Sequence, residues 1–107
     1  MHKYRVTISP LAASDIHGIY DYISVELINP VAAGKIAASV EQHCRRLSIF
    51  PKGSPVRMLR NGRRYRFSRV GKYVVIYHVD DTLRTVRVDR VLYARRDFEA
   101  VLSVDGQ

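Results

Sequence analysis

An α+β fold is predicted, in which a twisted antiparallel sheet carries a helix hairpin on one face. The apolar residues recur every second position in some segments and every third or fourth in others, in the order strand, helix, helix, strand, strand, strand. The chain has 107 residues, 47% of them hydrophobic, which suits one domain with a real core. We therefore expect a single domain over residues 1–107, with a flexible tail from about residue 103.

The first half of the chain predicts one strand and two helices. Residues 3–8 alternate, with Tyr4, Val6 and Ile8 on one face. Ser9-Pro10 and Asn29-Pro30 each combine a capping side chain with a proline suited to the first helical turn, so each pair should begin a helix. The apolar positions of the two helices are Ile16, Ile19, Tyr20, Ile23 and Leu27, then Ala33, Ile36, Ala37, Val40, Cys44 and Leu47. Their short connection predicts an antiparallel hairpin with one apolar side.

The second half predicts a loop and three strands. Proline and glycine make residues 51–62 loop-like, and strands are expected at 63–69, 72–79 and 84–93. Residues 72–79 are apolar on both faces, so this strand should be central. Alternation places Tyr65 and Phe67 on one face, which we expect to meet the helices. The opposite face should carry Arg64, Arg66, Arg87 and His78, and residues 96–104 should form a short helix.

Positive charge is concentrated in one stretch of the chain. The net charge is +8, and residues 57–72 contain seven basic residues and no acidic one. They are Arg57, Arg60, Arg63, Arg64, Arg66, Arg69 and Lys72, interleaved with Tyr65, Phe67 and Tyr73. Guanidinium groups attract phosphate and rings stack on bases, which favours a nucleic acid. An acidic protein partner is the alternative, and each ring taken singly is more typical of sheet packing.

Several classes of site are not predicted. The single cysteine, Cys44, excludes an internal disulfide and lies on the apolar stripe of a helix, as a core thiol does. The four histidines are scattered, and Gly62 and Gly71 stand outside any glycine-rich phosphate loop. We therefore expect neither a metal nor another cofactor. No segment has the length of a membrane span or the pattern of a signal peptide, which predicts a cytoplasmic protein without membrane contact.

One reaction suits a basic protein without a metal. RNA supplies its own nucleophile, the 2′-hydroxyl, so cleavage needs a base, an acid and cations near the phosphorane. Arg66, Arg69 and Arg96 are candidates for charge stabilisation. His78 and Tyr93 are candidates for proton transfer, and His78 titrates near neutral pH.

The chain resembles the RelE/ParE superfamily of toxins over residues 3 to about 102. The resemblance is carried by the opening run Ser9-Pro10-Leu11-Ala12-Ala13-Ser14-Asp15-Ile16 and by the segments 19–23, 29–33, 47–51, 73–79 and 91–98 in that order. It implies the fold predicted above and a toxin of a type II toxin–antitoxin module. It also implies a cognate antitoxin, often DNA-binding, in a hetero-oligomer with the toxin. The positive charge of this chain predicts that the antitoxin offers an acidic, partly disordered segment.

The resemblance implies two alternative targets. RelE-like members cut mRNA on the ribosome, and ParE-like members poison DNA gyrase. Arg66 and Arg96 match basic positions of the nucleases, whereas Val74 and Leu102 stand where a nuclease has an arginine and a tyrosine.

A ribosome-dependent mRNA endonuclease is the first prediction from the sequence. Its catalytic candidates are Arg66, Arg96, Arg69, His78 and Tyr93, and its nucleic-acid contacts are Arg57, Arg60, Arg63, Arg64, Lys72, Arg87 and Arg95. A gyrase inhibitor without nuclease activity is the alternative. A non-catalytic module that only binds through its basic face is a third.

Overall fold

The computed structural model describes residues 3–105 and contains five strands and three α-helices in that range. The strands are β1 (Arg5–Ile8), β2 (Val56–Met58), β3 (Arg64–Val70), β4 (Tyr73–Asp80) and β5 (Thr85–Tyr93). The helices are α1 (Pro10–Asp21), α2 (Pro30–Arg46) and α3 (Phe98–Asp105). A π-helical turn, Tyr22–Glu26, continues α1 toward α2.

Both long helices begin at the predicted capping residues. The Ser9 hydroxyl accepts a hydrogen bond from the Ala12 N–H, and the Asn29 side chain accepts one from the Ala32 N–H. Pro10 and Pro30 follow as the first helical residues. These contacts satisfy donors that helix geometry leaves unpaired, so each helix starts where the sequence predicts.

The sheet has the order β1-β5-β4-β3-β2, with the apolar strand β4 at its centre as predicted. The α+β class is confirmed, but two details of the sheet differ from the sequence prediction. β1 pairs with β5 in parallel, Arg5 opposite Thr85, so the sheet is mixed rather than wholly antiparallel. The short strand β2 lies inside the predicted loop 51–62 and pairs with β3 at the sheet edge.

Each face of the sheet has its own apolar core. The hairpin of α1 and α2 packs on one face, where Ala12, Val40 and Cys44 meet Val75 and Tyr77 of β4. On the other face α3 packs through Phe98, Val101 and Leu102 against a cluster that contains Val74, Ile76 and Leu92. The structure is therefore a three-layer arrangement of hairpin, sheet and short helix.

The side chains of β3 lie on the faces of the sheet opposite to those predicted. Tyr65 and Phe67 belong to the cluster under α3, and the ring centroids of Phe67 and Phe98 are 5.3 Å apart. Arg66 lies opposite Tyr77 and therefore shares the hairpin face, as does Arg64 two positions earlier. Alternation in the sequence identifies which residues share a face of the sheet. It does not determine which of the helices covers that face.

A largely buried ion pair joins α1 to β5. The Asp15 carboxylate accepts hydrogen bonds from Arg90 Nε at 2.7 Å and Nη2 at 2.8 Å, and from the Val91 N–H at 3.0 Å. The side chains of Asp15 and Arg90 are each only 14% exposed. Bidentate geometry makes this one of the stronger polar contacts available to a protein.

α3 continues through Asp105, and residues 106–107 of the expected tail lie outside the described residues. Cys44 is buried, and its burial raises the pKa of the thiol to about 11. It is a packing residue, as its place on the apolar stripe predicts.

Within residues 3–105 no helix has the length and apolar character needed to cross a membrane.

Candidate functional site

The predicted site residues lie at two ends of the sheet. The first group surrounds the start of β3 and the end of β4, and we call it the basic end: Arg57, Arg63, Arg64, Arg66, His78 and Arg87. A hollow of about 300 Å³ opens there, with Arg64, Arg66 and His78 in its lining. Arg66 donates a hydrogen bond to the Ser54 carbonyl, which holds its guanidinium against the loop before β2.

His78 is paired with an acid that the sequence analysis missed. Its Nδ1 donates to Asp89 Oδ2 at 2.7 Å, and Arg87 lies directly opposite it on β5. The pairing with Asp89 raises the pKa of His78 above its usual 6.5, against the opposing effect of burial. Asp89 is the extra residue of a β-bulge, since Val88 lies opposite Tyr77 and Arg90 opposite Ile76.

This pairing makes stability depend on pH. Because the pKa of His78 is higher in the folded chain, the pair stabilises the fold fully below pH 6.5 and loses this effect as pH rises through the folded pKa. Asp89→Asn should therefore lower the melting temperature at pH 5.5 more than at pH 9. Melting curves of both proteins across this range measure the difference, and an equal loss at both pH values would contradict the assignment. His17→Gln, at an exposed helical histidine, is the control.

The second group lies at the opposite end of β4. Lys72, Tyr93 and Arg96 line a cleft of about 1120 Å³ between the helix hairpin and the sheet. Much of its lining is apolar and comes from α1, the π-helical turn and α2, including Ile19, Tyr22 and Ile36. The rings of Tyr73 and Tyr93 meet edge to face at 6.1 Å between centroids.

Four of the candidate site arginines differ from one another in their surroundings. The Arg57 guanidinium lies over the Phe67 ring, 5.0 Å from its centroid. The Arg60 N–H donates to the Glu99 carboxylate at 3.2 Å, and Arg69 Nε donates to the Gly71 carbonyl at 2.9 Å. Arg95 is exposed in the turn that follows β5.

The five catalytic candidates do not converge on one point. Arg66 lies opposite Tyr77 and Tyr93 lies opposite Tyr73, a separation of four residues, or about 13 Å along a strand. Arg66 and His78 both line the hollow at the basic end, but they lie on opposite faces of the sheet, because Arg66 pairs with Tyr77 and successive residues of β4 face opposite sides. Val74 and Leu102 are both buried in the core beneath α3.

Two polar partners became visible only in the folded chain. Asp89 is one, and its sequence signal was a single acid inside the apolar alternation of β5. His43 is the other: a hydrogen bond of 2.6 Å joins its Nε2 to Ser68 Oγ and links α2 to β3. Burial, followed by the charge of Arg46, lowers the pKa of His43. Among residues 3–105 the structure brings no three His, Cys, Asp or Glu side chains into a metal-binding group.

Comparison with known families identifies the chain. The family model described as "ParE toxin of type II toxin-antitoxin system, parDE" matches residues 6–98. The chain belongs to the ParE toxin family. It is thus a toxin of the RelE/ParE superfamily, as the sequence resemblance implies, and no curated protein sequence matches it.

Solved structures of toxin–antitoxin systems share the fold of this ParE toxin. A chain of a chromosomal ParDE system from P. aeruginosa superimposes with a TM-score of 0.70 at 18% identity, over 89% of this chain and 100% of that one. A chain of a RelBE complex from Mycobacterium tuberculosis gives 0.64 at 25% identity, over 85% and 98%. A chain of an archaeal RelE–RelB complex from Pyrococcus horikoshii gives 0.63 at 16%, over 88% and 98%.

Proposed function

We propose that this ParE toxin arrests growth by inhibiting DNA gyrase and that it has no nuclease activity. An antitoxin encoded beside the toxin gene would bind the toxin in the cytoplasm and neutralise it. Family membership supports the toxin role, and ParE-like members are the gyrase poisons of the superfamily. The proposal reverses the order of the two targets that the sequence analysis favoured.

The observation that carries the proposal is the burial of Val74 and Leu102. The RelE-like nucleases that the chain resembles usually have an arginine and a tyrosine at these two positions. Here both positions contribute to the core between the sheet and α3, and Leu102 is 0% exposed. The remaining candidates Arg66 and Arg96 belong to different ends of the sheet, so a substrate phosphate would not contact both guanidinium groups.

The test uses purified toxin, purified gyrase and relaxed plasmid. The toxin should abolish ATP-dependent supercoiling and, after protein denaturation, leave cleaved plasmid. Arg66→Ala with Arg96→Ala should inhibit gyrase to within about twofold of the wild-type toxin, because neither side chain has a catalytic role in this mechanism. Undiminished supercoiling at a large excess of toxin would exclude the proposal.

Ribosome-dependent mRNA cleavage is the second candidate, because His78 and Asp89 form a proton-handling pair among arginines. His78 donates to the acid at 2.7 Å with Arg87 beside it, and a protonated imidazole is a suitable general acid. In this mechanism His78→Gln should reduce cleavage by about 10²-fold or more. Mapping of mRNA cuts after induction tests it, and a pattern of cuts that His78→Gln leaves unchanged would contradict it.

The antitoxin should cover the basic end with an acidic, partly disordered segment. Arg63, Arg64 and Arg66 would then contribute to the attraction, most strongly at low salt. Substitution of all three by glutamine should weaken binding of the antitoxin and flatten its salt dependence. Titration at two ionic strengths measures both effects. An affinity equal to that of the wild-type toxin would show that the antitoxin binds elsewhere.

A further inference from the structure

One face of the sheet carries a line of side chains that crosses four strands at the basic end. Arg57 lies opposite Tyr65, and Arg87 lies opposite His78. All four side chains are on the face that α3 covers elsewhere, because residues alternate with those of the hairpin core. The Tyr65 ring meets the His78 imidazole edge to face, with 6.5 Å between centroids. The two arginines therefore stand three strand spacings apart, about 14 Å.

The charge of this line comes from arginine. Arg63 donates a hydrogen bond to the Tyr65 hydroxyl at 3.4 Å, which places a third guanidinium beside the line. His78 is paired with Asp89 at 2.7 Å, so this pair adds no net charge when the imidazole is protonated. We name three residues the arginine cluster: Arg57, Arg63 and Arg87. All three are exposed.

Little acidic charge opposes the arginine cluster. Strands β2 to β5 contain two acidic residues, Asp80 and Asp89. Asp89 is paired with His78 and its side chain is only 20% exposed. Asp80 accepts a hydrogen bond from the Leu83 N–H at 3.0 Å and keeps its charge. Three guanidinium groups thus outnumber the one acid of these strands that no histidine neutralises, and phosphate is an anion that guanidinium groups bind well.

The aromatic rings beside the cluster are largely covered. Tyr65 is 6% exposed and belongs to the core beneath α3. Phe67 packs against Phe98 at 5.3 Å between centroids, and the Arg57 guanidinium lies over it at 5.0 Å. Proteins that hold single strands use exposed rings on which bases stack. Arginines without exposed rings suit a duplex instead, because its bases stack on each other and its phosphates are denser.

We propose that the arginine cluster binds the phosphate backbone of duplex DNA, so that the toxin contacts the DNA that gyrase holds as well as the enzyme. The DNA contact follows from the geometry of the cluster, and its place in gyrase inhibition rests on the proposed function. Contacts to phosphate carry no sequence information, so binding should not depend on base sequence. An antitoxin segment that covers Arg63 would exclude DNA from the same surface.

Fluorescence anisotropy of a short labelled duplex with purified toxin, at several salt concentrations, tests the DNA contact. Arg57→Gln with Arg87→Gln should weaken binding about tenfold or more at low salt. It should also reduce the slope of log affinity against log salt by about two, since each phosphate contact contributes about 0.9. Asp80→Asn should tighten binding, a gain that misfolding would not produce. Melting temperatures verify that the variants are folded.

Lys35→Gln with Arg45→Gln is the matched control, because it removes the same two charges from exposed positions on α2. It should bind the duplex within about twofold of the wild-type toxin at moderate salt. An equal loss in this control would mean that net charge alone attracts DNA, which would overturn the assignment to the cluster. Tighter binding of single-stranded RNA than of a duplex of the same length would overturn it in favour of an RNA ligand.

Supercoiling assays with the same proteins separate this inference from the proposed function. If the wild-type toxin binds the duplex but leaves gyrase unaffected, the proposed function fails and the DNA contact stands. If it inhibits gyrase, the variant Arg57→Gln with Arg87→Gln should need several times more protein for the same inhibition. A variant that has lost DNA binding yet inhibits as strongly as the wild-type toxin would overturn the role of the contact in inhibition.

Discussion

Substitution of Asp15 by alanine should lower the free energy of unfolding by about 3 kcal/mol, because it leaves the Arg90 guanidinium buried without its carboxylate. The same change removes the acceptor of the Val91 N–H. Since this carboxylate joins α1 to β5, the cleft between the hairpin and the sheet should lose its shape as well. Urea unfolding measures the loss.

Glu41→Ala is the matched control for this prediction. Glu41 lies on α2 and pairs with Arg45 at 3.9 Å, but both side chains are largely exposed, so the change should be below about 0.5 kcal/mol. The double variant Asp15→Ala with Arg90→Ala should be less destabilised than the sum of the two single variants. Strict additivity would mean that the ion pair contributes nothing of its own.

Substitution of Leu102 by alanine should cost about 3 kcal/mol, because the side chain is fully buried between α3 and the sheet and its removal leaves a cavity. The loss should appear as a lower melting temperature. α3 should also become more accessible to proteases, since the fully buried Leu102 packs this short helix against the sheet.

Ser103→Ala on the same helix is the control, and its exposed side chain should change stability by less than about 0.5 kcal/mol. Equal stability of the Leu102 and Ser103 variants would show that α3 is not docked in solution. Leu102→Tyr adds a functional readout: if this position belongs to a latent nuclease site, the variant should cut mRNA. We expect no cutting and a loss of stability from overpacking.

Local signals in the sequence predicted much of the fold. The cap-plus-proline pairs at residues 9–10 and 29–30 located the starts of both long helices, and the continuous apolar run of β4 located the central strand. Each of these signals acts within a few residues, where propensity and hydrogen bonding are decided.

Features that depend on distant partners were not predicted. The parallel pairing of β1 joins residues about 80 positions apart, and no local pattern distinguishes it from antiparallel pairing. β2 has three residues and lies within a segment rich in proline and glycine. Asp89 pairs with His78 because a bulge in β5 directs its side chain toward the imidazole. The roles of the individual candidate site residues stay predictions.

The parallel pairing of β1 with β5 also sets the time at which the toxin becomes complete. β1 precedes its partner residues 85–88 by about 80 positions, so the sheet cannot close until those residues have left the ribosome. Pairings between such distant segments also form slowly. A nascent chain that has not yet reached residue 85 therefore lacks the complete sheet. This delay gives an antitoxin already present in the cell the opportunity to bind the toxin as soon as it folds.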